Sequence, residues 1–319
     1  MTRVLLTGAT GFVGTALAEK IVREGVFDLS VTVRNQNQWP EFPNRFVVPE
    51  LDGKASLERA LNGVDIVIHT AARVHVMQES SNDPLADFRK VNVDGTLNLA
   101  RQAAAIGVKR FIFLSSIKVN GEATRLGQPF KPDDNPAPMD FYGISKMEAE
   151  NELLELAKTS EMDVVIIRPV LVYGPGVKAN FFNMMQWVSK GYPLPLGGIN
   201  NKRSLVALDN LLSLIITCIT HPAASNQIFL VSDGEDLSTS QLLVRTSKAL
   251  NKRSILVPLP SWFLRIAATV LGKRDVYDRL CGSLQVDISK TRKVLGWQPE
   301  ISVDDALCKT AKHFEGASR

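Results

Sequence analysis

The sequence predicts an α/β protein with a Rossmann-type doubly wound parallel sheet and a smaller C-terminal substrate-binding portion. Three observations predict it. Short apolar, β-branched runs alternate with helical stretches over the first 168 residues. A glycine-rich turn follows the first of these runs. After residue 168, proline and glycine become dense, which indicates loops and a change of architecture.

The predicted strands are nearly all apolar, which indicates that both of their faces are buried. Strands of this kind occur in parallel sheets that are covered by helices on both sides. They span residues 3–7, 29–34, 45–48, 66–70, 111–115 and 164–168. Helix-like segments lie between them, at residues 11–25, 56–61, 85–107 and 142–159.

The second half of the chain has a less regular pattern. Helical patches recur at residues 181–190, 208–220, 238–250 and 261–271, with strand-like runs at 227–231 and 254–257. We expect residues 1–168 to form the dinucleotide-binding domain. We expect residues 169–319 to form the smaller portion at its edge, with some later segments returning to the first domain.

The composition excludes several classes of protein. With 37 basic and 33 acidic residues the net charge is +4, and no long basic run indicates a nucleic-acid partner. Three cysteines at wide spacing predict no disulfide framework, and no Cys/His cluster has metal-ligand spacing. No apolar stretch is long enough to span a bilayer, and no signal peptide of the usual form precedes the first strand. We expect a cytoplasmic protein without a metal or stable membrane insertion.

The first loop has the order strand, glycine-rich turn and helix. Gly8, Gly11 and Gly14 let the backbone turn sharply and approach a pyrophosphate, which binds to free amides at the start of a helix. A purely structural turn is the alternative. The preceding strand and the amphipathic helix that follows favour a dinucleotide site.

A residue at the end of the second predicted strand bears on which nicotinamide dinucleotide is bound. An NAD site has an acidic residue there, which accepts hydrogen bonds from the adenosine ribose. This chain has Arg34 instead, and an arginine can pair with a 2′-phosphate. Arg34 therefore favours NADP(H) over NAD(H). A solvated surface arginine is the alternative.

A tyrosine and a lysine four residues apart form the candidate catalytic pair. On a helix Tyr142 and Lys146 share one face, and a buried ammonium beside a phenol lowers the pKa of that phenol. The phenol can then exchange a proton with a hydroxyl or ketone while a nicotinamide exchanges a hydride. Ser116 follows a predicted strand, where ligands of such sheets bind, and can hydrogen-bond the reacting oxygen. An ordinary helix pair is the alternative.

These segments resemble the extended short-chain dehydrogenase/reductases, in particular the NAD(P)-dependent nucleotide-sugar epimerases and dehydratases. The resemblance covers most of the chain. It rests on Thr-Gly-x-x-Gly-Phe-x-Gly at residues 7–14, Asn-Val-x-Gly-Thr at 92–96, Ser-Ser at 115–116, Tyr-x-x-x-Lys at 142–146, Arg-Pro at 168–169, Val-Tyr-Gly-Pro-Gly at 172–176 and Leu-Gly-Trp at 295–297. Residues 72–77 and 117–122 resemble the bacterial branch that acts on UDP-N-acetylhexosamines and their 6-deoxy derivatives.

The resemblance implies a set of site residues and no metal ligand. The catalytic residues would be Ser116, Tyr142 and Lys146. The cofactor contacts would be Gly8, Thr10, Gly11, Phe12, Val13, Arg34, Leu51, Asp52, Ala71, Ala72, Asn92, Tyr142, Lys146 and Pro169. The substrate contacts would be His75, Lys118, Asn180, Phe181 and Arg203.

Three of these assignments have open alternatives. Lys118 stands where the family usually has a small or hydroxyl residue, and it is either a substrate contact or a surface lysine. Asn180 is either a nucleotide contact or a helix cap. Asp52 is either an adenine contact or a loop residue.

The resemblance implies an enzyme acting on a nucleotide sugar. Because of Arg34 we favour NADPH-dependent C4-keto reduction of a UDP-6-deoxy-N-acetylhexosamine. A UDP-sugar 4-epimerase of the UDP-glucose or UDP-GlcNAc type, with tightly bound NAD, is the alternative and uses the same residues. A non-catalytic dinucleotide-binding sensor is disfavoured because Ser116, Tyr142 and Lys146 are all present.

Two further expectations concern surfaces. By analogy with the family, we expect a homodimer formed through residues 85–107 and 142–159. The amphipathic segment 261–274 predicts either a helix that faces the core or a contact with a membrane surface or partner.

Overall fold

The computed structural model describes residues 1–39, 42–74 and 83–317. Its strands in chain order are β1 (Arg3–Thr7), β2 (Asp28–Val33), β3 (Arg45–Val47), β4 (Ile66–His69), β5 (Arg110–Leu114), β6 (Asp163–Pro169), β7 (Leu171–Tyr173), β8 (Arg203–Ala207), β9 (Gln227–Val231) and β10 (Asp236–Leu237). Its α-helices are α1 (Phe12–Glu24), α2 (Glu58–Leu61), α3 (Pro84–Arg89), α4 (Thr96–Ala105), α5 (Phe141–Thr159), α6 (Ala179–Ser189), α7 (Leu208–Thr220), α8 (Thr239–Ala249), α9 (Ser261–Val270), α10 (Arg274–Cys281), α11 (Ser289–Leu295) and α12 (Val303–Ala317).

Seven strands form one parallel sheet in the order β3-β2-β1-β4-β5-β6-β9. The chain winds outward from β1 in one direction and then returns to continue from β4 in the other. The strand order therefore reverses between β1 and β4, where doubly wound sheets form a crevice for ligands. This confirms the predicted Rossmann-type fold.

The two faces of the sheet are buried against different helices because side chains alternate along each strand. In β1, Val4 and Leu6 pack with Leu17 and Ile21 of α1, and this cluster extends to α7. Leu5 points to the opposite face, into the cluster formed with α2, α4 and α5. The near-absence of polar residues in these strands follows from burial on both faces.

The C-terminal half is divided between this sheet and a smaller unit. β9 pairs with β6 and completes the large sheet. β7, β8 and β10 form a separate three-stranded sheet. A third apolar cluster packs this small sheet against α6, α8 and α12.

One predicted strand is wrong. Residues 254–257 make only an isolated pairing of Leu194 with Leu256. The amide of Leu194 donates to the carbonyl of Ile255, and the amide of Val257 donates to the carbonyl of Leu194 (both 2.9 Å). The next donor to the carbonyl of Val257 is Gly197 (3.0 Å) and not Leu196, so the register shifts by one residue and no regular ladder continues.

The predicted helix at residues 85–107 is present but irregular. Asp83 caps α3 by accepting a hydrogen bond from the amide of Ala86 (3.0 Å), and Pro84 occupies the first turn. A π-helical segment, Lys90–Gly95, joins α3 to α4. Such segments are concentrated at functional sites, and this one contains Asn92.

The glycine-rich turn depends on close backbone contacts that exclude a side chain. Gly8 has φ of +75°, and a Cβ there would lie 2.5 Å from the amide nitrogen of Ala71. A Cβ on Gly14 would lie 2.1 Å from the carbonyl oxygen of Gly8. The start of α1 is thereby pressed against the end of β1 and the loop after β4.

We expect Gly14→Ala to destabilise the protein by about 2 kcal/mol or more, because the new methyl group forces the turn away from the helix. Thermal unfolding measures this loss. The matched control is Gly316→Ala in α12, where a Cβ meets nothing within 4 Å. That change should stabilise the helix by up to about 1 kcal/mol. Equal stabilities for the two variants would contradict the close packing of the turn.

Candidate active site

The candidate site lies where the carboxyl ends of the central strands meet. β1 leads into the glycine turn, β4 into residues 70–74, and β5 into Ser115 and Ser116. Helix α5 packs beside them, against α3, α4 and the short 3₁₀ turn Ile117–Val119. The structure therefore brings the predicted glycine turn, serine and Tyr–Lys helix to the same edge of the sheet.

Helix α5 is fixed at its first residue by Asp140. The Asp140 carboxylate accepts a hydrogen bond from the amide of Gly143 (2.7 Å) and so caps the helix. The ammonium of Lys118 forms an ion pair with the same carboxylate. Lys118 also lies 3.5 Å from Glu122. Lys118 is thus paired and braces the cap of the helix that carries Tyr142. Its side chain remains 40% exposed, and its contact with a substrate stays a prediction.

Lys146 is almost fully buried, at 1% exposure. Its Nζ atom lies 3.8 Å from the centre of the Phe113 ring, on the face of that ring. A cation in this position is attracted by the π electrons, which offsets part of the cost of leaving water. Burial still lowers the pKa of Lys146 to about 7, although the negative charge of Glu150 opposes this shift.

His69 supports the Phe113 ring from the sheet. The two rings are stacked, with centroids 5.8 Å apart and an interplanar angle of 13°. The ring nitrogens of His69 make hydrogen bonds with Thr7 (2.6 Å) and Thr96 (2.9 Å). Burial, together with the positive charge of Lys146, lowers the pKa of His69 to about 3. His69 is therefore a neutral imidazole, hydrogen-bonded at both ring nitrogens, that supports the aromatic ring on which the amine lies.

Tyr142 lies one helical turn before Lys146 and is partly exposed. Its ring makes an edge contact with Phe88, with centroids 6.3 Å apart. Burial and the negative charge of Asp140 raise the pKa of Tyr142. The pKa of this phenol is thus raised in the protein without ligand, whereas a lowering by Lys146 was expected, and desolvation is the largest cause.

The two serines after β5 have different surroundings. Ser115 is buried, and its hydroxyl donates to the carboxylate of Glu150. The Ser116 hydroxyl accepts a hydrogen bond from the backbone amide of Lys118 (3.2 Å) and remains partly exposed. Ser116, the predicted catalytic residue, is thus the one whose hydroxyl can still donate to a substrate oxygen.

A buried ion pair below the site was missed by sequence reasoning. The guanidinium of Arg168 holds both carboxylate oxygens of Glu150, and both side chains are 3% exposed or less. Arg168 also donates to Asn120 (2.9 Å) and to the carbonyl of Pro132 (3.3 Å). The spacing of Tyr142, Lys146 and Glu150 at successive fourth positions was the available signal, since it places Glu150 on the same helix face.

Asn92 is buried, and its side-chain amide is already hydrogen-bonded within the protein. Its amide group exchanges hydrogen bonds with the backbone of Arg73 (2.8 and 3.0 Å) and donates to the hydroxyl of Ser145 (2.9 Å). Asn92 thus ties the loop after β4 to helix α5. Its predicted contact with a cofactor would have to be made alongside these three bonds.

The other predicted cofactor residues surround the same crevice. Within the described residues, no side chain caps the start of α1, so the amides of its first turn are available to an anion. Arg34 is exposed just beyond β2. Asp52 accepts a hydrogen bond from the amide of Lys54 (3.0 Å) and so stabilises its own loop. Leu51, Ala71 and Ala72 are half-buried at the crevice, Thr10 is exposed, Phe12 and Val13 begin α1, and Pro169 ends β6.

The predicted substrate residues differ in their location and burial. His75 lies outside the described residues. Asn180 is exposed within the first turn of α6, whose N-cap is Lys178, so the alternative of a helix cap is wrong. Phe181 is a core residue that stacks on Tyr173, with centroids 5.3 Å apart. Arg203 donates to the backbone carbonyls of Arg279 (3.0 Å) and Gly282 (3.2 Å).

Comparison with known proteins agrees with this geometry. Residues 4–232 match the NAD dependent epimerase/dehydratase family. The chain is 50% identical to a UDP-glucose 4-epimerase from Vibrio cholerae over 312 residues, which cover 98% of this chain and 95% of the relative. It is 28% identical to an N-acetyl-alpha-D-glucosaminyl-diphospho-ditrans,octacis-undecaprenol 4-epimerase from Escherichia coli, over 97% of this chain and 94% of that one. Its fold is similar to a UDP-glucuronic acid 4-epimerase from Bacillus cereus in complex with NAD, with a TM-score of 0.80, 19% identity and full coverage of both chains.

We expect Lys146→Met to abolish activity and yet to stabilise the protein. Methionine keeps the length of the side chain, while the loss of the amine removes a buried charge. Activity should fall by about 100-fold or more, and the free energy of unfolding at pH 6 should rise by about 1 to 3 kcal/mol.

The stabilisation should depend on pH in a defined direction. The pKa of Lys146 is about 7 in the folded chain and 10.5 in the unfolded chain, so the unfolded state binds more protons between these values. The gain from Lys146→Met should be largest below pH 7 and shrink toward pH 10.5. Urea unfolding of both proteins across this range measures it. A variant less stable than the parent at pH 6 would contradict a net energetic cost of burying the amine.

Proposed function

The chain belongs to the NAD-dependent epimerase/dehydratase family, and we propose that it is a UDP-sugar 4-epimerase that retains NAD between turnovers. The observation that carries this proposal is the 50% identity with a UDP-glucose 4-epimerase along almost the entire chain. This reverses the order in which the sequence alone ranked the two reactions, since C4-keto reduction by NADPH was favoured from Arg34.

The geometry of the crevice supports a dinucleotide. Gly8 and Gly14 keep the first turn free of side chains, so a pyrophosphate can approach the backbone. The uncapped start of α1 offers amide donors and the positive end of a helix dipole. Lys146, on α5, and Ser116, after β5, lie at the other end of the crevice, where a nicotinamide and its ribose would be held.

The chain's own residues then handle the proton and the sugar oxygen. When bound, an oxidised nicotinamide supplies a hydride acceptor and a positive charge that favours the phenolate of Tyr142. Tyr142 would take the proton from the C4 hydroxyl and later return it to the same oxygen. Ser116 would donate a hydrogen bond to that oxygen, and Lys146 would hold the ribose. Inversion at C4 would require the keto sugar to present its other face to the nicotinamide, which would supply the hydride back to C4 while Tyr142 returns the proton to the oxygen.

Reduction of a keto sugar remains a second candidate because of one observation. Arg34 is exposed beyond β2, at the position where an NAD site has an acidic residue. An arginine there suits the 2′-phosphate of NADPH, a reductant that is consumed in each turnover. The same Tyr142, Lys146 and Ser116 would serve this reaction in one direction only.

Two narrower expectations stay predictions. A homodimer would form through residues 85–107 and 142–159, whose helices α4 and α5 pack against each other within the chain. A cytoplasmic location agrees with the small charge and the three free cysteines.

The two reactions are distinguished by how the dinucleotide is used. We expect the purified protein to release NAD on denaturation and to convert UDP-glucose or UDP-N-acetylglucosamine to its C4 epimer without added dinucleotide. Proton NMR of the sugar measures the inversion, and chromatography identifies the released nucleotide. Stoichiometric oxidation of added NADPH by a UDP-4-keto-6-deoxy sugar, with no inversion of either UDP-sugar, would refute the epimerase in favour of the reductase.

Tyr142→Phe should reduce the rate by about 100-fold or more while the released nucleotide is unchanged, because the phenol moves the proton but is not needed for the pyrophosphate site. The matched control is Tyr192→Phe, an exposed tyrosine on the C-terminal half. Equal rates for the two variants would remove Tyr142 from the mechanism.

A further inference from the structure

Helices α9 and α10 form a hairpin that is set apart from the rest of the molecule. The two helices pack against each other. Every residue of α9, all of them described, is half-buried or exposed. A helix with this many apolar residues normally has a buried stripe, so α9 is an exception that needs a physical reason.

The apolar residues of α9 form two stripes. Leu264, Ala267 and Ala268 are half-buried and lie together on one side of the helix. A second set, Trp262, Phe263, Ile266 and Val270, is 62%, 48%, 56% and 80% exposed. At 3.6 residues per turn these four side chains fall within an arc of about 100°. They form a continuous apolar strip on the solvent side of α9. Val276 and Leu280 of α10 are also exposed, at 40% and 36%.

The surroundings of this strip are strongly basic. Residues 251–282 contain six lysine or arginine residues and two aspartates, a net charge of +4. This equals the net charge of the whole chain, so the remainder is neutral overall. Arg265 lies on α9, and Lys273 and Arg274 lie at the turn between the helices.

The base of the hairpin is held firmly by the body of the protein. The carbonyl oxygens of Leu280 and Gly282, at the end of α10, accept hydrogen bonds from Asn201 (3.2 and 2.8 Å). Arg203 and Thr239 donate to carbonyls of the same turn. These bonds satisfy the end of the helix, so the exposed strip belongs to a defined structure.

We propose that the α9–α10 hairpin docks this protein on the surface of an anionic lipid bilayer. A short helix with aromatic residues on one side and basic residues beside them binds in the plane of the interface, where apolar side chains enter the lipid and cations face the head groups. With ten residues, α9 is about 15 Å long. No helix of the described residues is long and apolar enough to cross a membrane, which agrees with attachment to one leaflet.

A second copy of the chain is the less favourable occupant of the strip. A two-fold interface brings the same surface of both subunits together. Two copies of residues 251–282, each with a net charge of +4, would then repel each other across the apolar contact. An anionic lipid surface carries negative charge, which complements the basic residues of this segment.

The test is co-sedimentation of the full chain with vesicles of two compositions. We expect binding to phosphatidylcholine vesicles that contain about one-third phosphatidylglycerol, weaker binding to pure phosphatidylcholine, and a loss of binding as salt is raised. The combined change Trp262→Ser, Phe263→Ser and Ile266→Ser should lower the partition coefficient by about tenfold or more. Arg265→Glu with Lys273→Glu and Arg274→Glu should lower it as much, but only for the anionic vesicles.

The matched control is Trp187→Ser with Tyr192→Ser, a pair of exposed aromatic residues elsewhere on the C-terminal half, whose rings are 5.9 Å apart. This control should bind vesicles like the parent. Far-UV circular dichroism and turnover of a soluble UDP-sugar should be unchanged in the hairpin variants, which separates this proposal from that of the enzymatic function.

Failure of the parent chain to bind anionic vesicles would overturn the proposal. Unchanged binding by the Trp262, Phe263 and Ile266 variant would overturn it as well. So would a dimer in analytical ultracentrifugation that this variant converts to monomers while vesicles are not bound, because the strip would then be a subunit interface.

Discussion

The site depends on a buried amine that lies on an aromatic ring. Lys146 rests on Phe113, Phe113 is stacked on His69, and His69 is hydrogen-bonded to Thr7 and Thr96. Thr7 is the last residue of β1, directly before the glycine turn. This column therefore links the helix that carries the proton-transfer residues to the loop that would hold the pyrophosphate. Moving either end by a fraction of an ångström would change the distance between the phenol and a bound ring.

The column requires that His69 stay neutral. A second positive charge 5.8 Å from the ring on which Lys146 lies would repel the amine and would itself be desolvated. The negative charge needed to balance Lys146 is supplied one helical turn away by Glu150, which is in turn held by Arg168. A buried pair of this kind contributes little net stability, and removing one partner leaves an isolated charge. We infer that it serves to orient α5 and Ser115.

The sequence predicted the large sheet and the location of the site well, because doubly buried strands have a strong apolar signal and the glycine turn has a fixed place after β1. It did not predict β7, β8 or β10, which are two to five residues long and lie next to prolines or begin with polar residues. It also did not predict α10, α11 or α12. The roles of Lys118 and Arg203 could not be deduced, because each is set by a partner distant in sequence, Asp140 in one case and the end of α10 in the other.

The most direct test of the column is the titration of the His69 ring by NMR, with the signal assigned from its disappearance in His69→Gln. The chain has four histidines, and an ordinary one titrates near pH 6.5. We expect the His69 signals to remain those of a neutral imidazole from about pH 8 to about pH 5, since its pKa is held near 3. A midpoint near pH 6.5 for His69 would mean that water reaches this ring. The rings beneath Lys146 would then not be shielded from solvent, which would contradict the burial of the amine.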